Sequence, residues 1–248
     1  MLLRACLALT ALLASAAFPA LAGAATKLQG TVTWTTTATQ STNSESESFE
    51  SKETRTVTMK VRMTKRAGAF GWQPEDNGSS YTGKYTLSST RVERDSSGGP
   101  SCTTTNAGTG RASGKLPKKP RSTTPPALFA SVLPSTATLG SSTKAIALRP
   151  ILRYKGESTV VTTGSGLSPC QSGQDVDPID GSLAPTDDAT QICYPAGTSK
   201  RTTTPQAGTL MGAWKKGSRA FSFSCSKTFS QSEGRKVAVK VTGSLKAR

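Results

Sequence analysis

The densest group of chemically capable side chains lies between Cys170 and Cys193. There Asp175, Asp177, Asp180, Asp187 and Asp188 supply the hard oxygen donors that calcium takes from a rigid loop. In Asp175-Val176-Asp177-Pro178-Ile179-Asp180-Gly181 the third carboxylate comes one place late for a D-x-D-x-D-G calcium loop, and no bidentate glutamate follows. A solvated acidic loop, or one neutralised by basic faces elsewhere, is preferred to a metal site at Asp175, Asp177 and Asp180, and no cofactor is expected. Paired as acid and base, the same carboxylates are what a glycosidase uses, so a carboxylate-dependent hydrolase is the alternative function.

The chain of 248 residues has no histidine. That removes Ser-His-Asp and Cys-His nucleophilic catalysis, histidine acid–base chemistry and histidine metal ligation. Ser141 with Lys144, and Ser224 with Lys227, match S-x-x-K. Neither comes with the S-D-N or K-T-G partners of the penicillin-binding fold, and a chain rich in Ser and Lys produces such matches by chance. No catalytic residue is assigned, and a non-enzymatic protein is the leading reading.

Charge is the stronger signal: 31 Lys and Arg stand against 15 Asp and Glu, a net +16. It is unevenly spread. Residues 96–160 carry nine basic groups and one acid, and 201–248 carry ten and one, while 161–200 between them carry one and five. Such a field draws polyanions or anionic surfaces at low salt. The candidate contacts are a mid-chain run from Arg111 to Arg121 that includes Lys118, Lys119 and Arg121, and a face built from Lys236, Lys240 and Lys246. Lys60 and Arg62 join that face if the first and last hairpins are neighbours. The expected partner is an acidic polysaccharide or another anionic surface polymer, held mainly through counterion release. Interleaved aromatic residues for base stacking are missing from both patches, which argues against sequence-specific nucleic-acid recognition.

Among the aromatic residues, Trp34 shares a strand face with Leu28 and Val32 and reads as core. Trp72, in the turn-rich Phe70-Gly71-Trp72-Gln73-Pro74, is the candidate for stacking on a sugar ring.

Met1 to Arg4, the apolar Ala5–Phe18, Pro19 and the small-residue stretch Ala20-Leu21-Ala22 follow the order of a signal peptide. Cleavage is expected after Ala22, or as late as Ala25, leaving 26–248 as a secreted, periplasmic or cell-envelope protein with no transmembrane segment. Four cysteines then remain, Cys102, Cys170, Cys193 and Cys225, and an even count in an exported chain reads as two disulfides. Cys170 with Cys193, and Cys102 with Cys225, is the preferred pairing of three possible ones.

These residues need elements to hold them, and two-residue alternation supplies the pattern. Leu28, Gly30, Val32 and Trp34 fall on one face of a strand, as do Val57, Met59, Val61 and Met63. Tyr81, Tyr85 and Leu87 follow the turn signal Asn77-Gly78. Phe221, Phe223 and Cys225 lead through a polar turn to Val237, Val239, Val241 and Leu245, alternating with Lys236, Lys240 and Lys246. Weaker strands are expected around 146–154, 159–163, 191–194 and 209–214. Convincing amphipathic helices are absent. The predicted class is all-β, an antiparallel β-sandwich or open barrel of hairpins with long polar loops, since one-sided burial does not suit a parallel sheet. A single domain over 26–248 is expected, with an exposed basic Pro-rich loop at 108–126. A structural or adhesin-like module is the remaining functional alternative.

Overall fold

The alternating segments at 28–34, 57–63, 221–225 and 237–245 are strands in the computed structural model, which describes residues 27–65, 71–74, 78–116, 128–133, 145–164, 170–183, 210–215 and 220–248. The strands are β1 (Lys27–Asn43), β2 (Glu47–Lys65), β3 (Gly71–Pro74), β4 (Ser79–Arg94), β5 (Pro100–Leu116) and β6 (Leu128–Leu133). They continue as β7 (Ala145–Pro150), β8 (Arg153–Gly164), β9 (Gly173–Ser182), β10 (Leu210–Lys215), β11 (Ala220–Ser230) and β12 (Lys236–Ala247). No helix occurs among the described residues, so none there is long and apolar enough to cross a membrane.

The chain is all-β and antiparallel, in the open form of the expected class. Strand order is β1-β12-β11-β10-β7-β6-β3-β2-β4-β5-β8-β9, and β1 also pairs with β2. β2 is the branch point. One edge runs along β1, and the other is shared by β4, from Glu47 to Lys60, and the short β3, from Met63 to Lys65. The strands from β1 round to β3 form a body that meets β2 twice, along the length of β1 and through the three residue pairs of β3. From β2, strands β4, β5, β8 and β9 leave as a wing, so the sheet does not close into a barrel.

Inward positions carry the core. Leu28, Val32 and Trp34 of β1 pack with Val57, Met59, Val61 and Met63 of β2, and with Val237, Val239, Val241 and Leu245 of β12. Ile146, Leu148, Phe221 and Phe223 close the body. Beyond the β2–β4 ladder, a buried side-chain bond also links body and wing: Trp34 Nε1 donates to the carbonyl oxygen of Leu183, just past β9, at 2.9 Å.

The inner face of the wing combines tyrosine rings with Leu87, Leu152, Ile179 and Leu183. Tyr85 and Tyr154 stack with centroids 4.2 Å apart and planes 11° from parallel. This requires glycine beneath: a Cβ at Gly110 would stand 2.4 Å from the Tyr154 ring, and one at Gly181 would stand 2.8 Å from it. Burial pushes the Tyr85 hydroxyl above its ordinary pKa of 10.0, helped by the negative charge of Glu53 and the bond with Tyr154, and opposed by Arg55. A raised folded-state pKa means the native state keeps this proton longer than the unfolded chain does. Its contribution to stability is therefore whole below about pH 10 and is lost as pH rises from there through the higher folded value. Denaturant midpoints measured from about pH 10 to about pH 12 should fall more steeply for the wild type than for Tyr85→Phe. Parallel curves for the two would show that Tyr85 ionisation is not linked to unfolding.

Three expectations are corrected. Cys102 is bonded to Cys170, with Cα atoms 5.7 Å apart, so neither Cys170–Cys193 nor Cys102–Cys225 forms. Cys102 lies opposite Gly164 at the end of β8, and Gly164 N donates to Ser172 Oγ at 3.1 Å, which brings the start of the β9 segment back beside β5. Cys225 is also disulfide-bonded, and Cys193 lies outside the described residues. Second, 108–116 is not loop but the second half of β5, paired with β4 throughout and with β8 as far as Arg111; residues 117–126 lie outside the described residues. Third, the acidic segment is not loop over 173–182 but strand β9, paired with β8. Residues 1–26 and the strand expected around 191–194 also lie outside the described residues.

Candidate polyanion-binding face

Because β1 lies between β2 and β12, and all three pair in strict register, their outward positions form cross-strand rows. Gln29 stands between Arg62 and Lys246, and Thr31 between Lys60 and Ser244. Thr35 stands between Thr56 and Lys240, and Thr39 between Lys52 and Lys236. The inward partners in each strand are the buried Val, Met, Leu and Trp residues, so Lys60, Arg62, Lys236, Lys240 and Lys246 all point to solvent on one face.

Within this face the threonines pair with one another. Thr33 and Thr58 hydroxyls lie 3.1 Å apart, Thr35 and Thr56 3.3 Å, and Thr37 and Thr54 3.5 Å. Strands spaced by about 4.8 Å, with same-face residues about 6.8 Å apart along each, put Lys240 about 14 Å from Lys236, and put Arg62 roughly 7 to 10 Å from Lys60 and Lys246. The shorter spacing is close to the Debye length of about 8 Å at physiological salt, so the fields of Arg62, Lys60 and Lys246 overlap. None of the five cations forms an ion pair among the described residues, whereas Arg55 pairs with Glu53, Arg91 with Glu47 and Arg153 with Asp180. The outward acid on these three strands is Glu50, beside Ser41 at one end. A cleft of about 390 Å³ opens there, with Thr39, Glu50, Lys52, Ser88 and Lys236 in its wall.

No family model, curated protein or solved structure matches this chain. The site is therefore argued from its own chemistry.

Other candidate residues are not brought together. In β9, period two puts Asp175 and Asp177 on the face opposite Asp180. Asp180 pairs with Arg153 at 3.2 Å. The strand thus separates the three carboxylates proposed as calcium ligands, and no metal-holding group of acidic or cysteine residues occurs among the described residues. Ser224 and Lys227, three apart in β11, likewise fall on opposite faces; Ser141 and Lys144 lie outside the described residues, as do Lys118, Lys119 and Arg121. The backbone of Trp72 lies in β3, opposite Lys65 and Ala130, and its side chain is outside the described part. Trp34 is core, 1% exposed.

The face is larger than sequence reasoning drew it. Lys84 of β4 stands beside Thr56 and next to Arg111 of β5, which stands next to Lys155 of β8. Lys84 was detectable, since it alternates with Tyr81, Tyr85 and Leu87. Lys155 lies where two expected strands left a gap, and only the pairing of β5 with β8 aligns it.

Proposed function

We propose that this protein is exported to a compartment that oxidises thiols, where its basic outer face binds an anionic polymer without catalysing a reaction on it. The observation that supports this reading is the register that sets Lys60, Arg62, Lys236, Lys240 and Lys246 on one solvent face with acid only at its end. Holding like charges together opposes folding, and an anionic partner relieves that repulsion while releasing its own counterions. The Cys102–Cys170 bond fits an oxidising compartment.

Two double variants with the same change in net charge test the assignment. Lys60→Glu with Lys240→Glu alters the face, whereas Lys227→Glu with Arg235→Glu alters positions off it. On an immobilised sulfated or uronic-acid polysaccharide at about 0.15 M salt, the face variant should bind at least tenfold more weakly than wild type, and the control should stay within about threefold. The slope of log K against log salt should also flatten by roughly 0.7 per cation removed, if the polymer behaves as a single-stranded polyelectrolyte does. Equal weakening by both variants would mean that net charge, not this face, drives retention.

A further inference from the structure

Three adjoining ranks of side chains cross the outer face. In the middle one, Ser224, Thr242, Thr33, Thr58, Thr82 and Ser113 follow one another across β11, β12, β1, β2, β4 and β5, each paired in register with the next. All six reach solvent, and no charge interrupts them. The rank on one side carries Lys240, Lys84, Arg111 and Lys155, aligned through Thr35 and Thr56. The rank on the other carries Lys60 and Lys115, aligned through Ser80. A hydroxyl track thus runs across the strands with ammonium and guanidinium groups along both margins.

Resting on the anionic-polymer reading above, we infer that the bound polymer is an acidic polysaccharide, one chain of which lies across the strands. Its sugar hydroxyls bond to the Ser/Thr track, and its carboxylate or sulfate groups meet the cations on either margin. Charge complementarity fixes the sign of the partner. The hydroxyl track favours a glycan among anions, because a sugar both donates to and accepts from it whereas a polyphosphate only accepts, and a nucleic acid seeks aromatic faces for its bases. The described outward positions along these six strands carry no aromatic residue.

The shape of the track decides between a single chain and a flat crystalline surface. Six strands span about 24 Å at 4.8 Å per step. Over those five steps a sheet twists by roughly 100 to 125°. A rigid plane touches only a fraction of such a surface, whereas a flexible chain follows it.

The test changes hydroxyls and leaves charge alone. Thr33→Val, Thr58→Val and Thr82→Val combined keep β-branching at each position; Thr→Ser at the same three positions keeps the hydroxyls. Binding of oligogalacturonate and of polyphosphate of matched length is measured on both variants by calorimetry, with a melting curve for each to establish folding. The valine triple should lose oligogalacturonate affinity by roughly tenfold or more, as expected from three hydrogen bonds removed. Its polyphosphate affinity should stay within about twofold of wild type, since counterion release is unaltered, and the serine triple should bind both as wild type does. Unchanged oligogalacturonate binding by a folded valine triple overturns the glycan assignment and leaves the charge-driven reading standing, as does tighter binding of polyphosphate than of oligogalacturonate by wild type. Failure of wild type to hold either polymer at low salt removes both.

Discussion

Replacing Trp34 with alanine should lower stability by about 5 kcal/mol, close to the whole margin of many domains. Two losses combine. Trp34 is buried, so truncation removes its packing and leaves a cavity, a change that costs roughly 3 to 5 kcal/mol for large aromatic residues. Its Nε1 also satisfies the Leu183 carbonyl at 2.9 Å, and stranding a buried acceptor costs about 1 to 3 kcal/mol. The expected drop in melting temperature is roughly 10 to 20 °C for a chain of this size. Trp34→Phe keeps most of the ring contacts and loses the bond, so its cost should be about 1 to 3 kcal/mol. Chemical denaturation of both variants separates the two terms. A loss below about 1 kcal/mol in the alanine variant would refute the placement of Trp34 at the junction of body and wing.

Opening the Cys102–Cys170 bond should have the second-largest effect. The two cysteines are 68 residues apart. In the chain-entropy account, releasing a loop of that length stabilises the unfolded state by about 4 kcal/mol. Cys102→Ser with Cys170→Ser should therefore shift the denaturation midpoint strongly. Native-state hydrogen exchange should quicken most in β8 and β9, which the bond clips to β5. Uniform acceleration over β1, β2 and β12 as well would show that body and wing unfold as one unit.

Legibility in the sequence followed the side chains that strands bury. β1, β2, β11 and β12 were readable because their inward positions are Val, Met, Leu, Trp and Phe, and their outward positions are Thr, Ser and Lys. β5 was not, because its inward positions include Gly108, Gly110 and Gly114, which make room for Leu87, Tyr154 and Tyr81 of neighbouring strands. A strand whose inner surface is filled by its neighbours' rings carries no hydrophobic alternation of its own. β9 was hidden differently: it is an edge with little to bury, so its aspartates resembled a loop. The disulfide pairing failed for the same reason, since the pairing of β5 with β8 that brings Cys102 to Cys170 depends on the strand that could not be read. The cationic face was legible as far as parity reaches within a strand, which gave Lys60, Arg62, Lys236, Lys240 and Lys246. Its width was not, because the order of strands is a long-range property that no local period encodes.

The β9 edge carries one more consequence. Leu183 N bonds to the Leu152 carbonyl oxygen at 2.8 Å, so in an antiparallel ladder the odd-numbered residues of β9 turn their amides toward β8 and the even-numbered ones turn theirs outward. The outward position at the centre is Pro178, which has no amide hydrogen to offer, and Asp175, Asp177 and Asp180 flank it. A second molecule aligning its own β9 here would lose a ladder bond at the middle and bring carboxylates together. This edge of the described sheet, long and rich in hydroxyls, is thereby guarded against stacking end to end into fibrils.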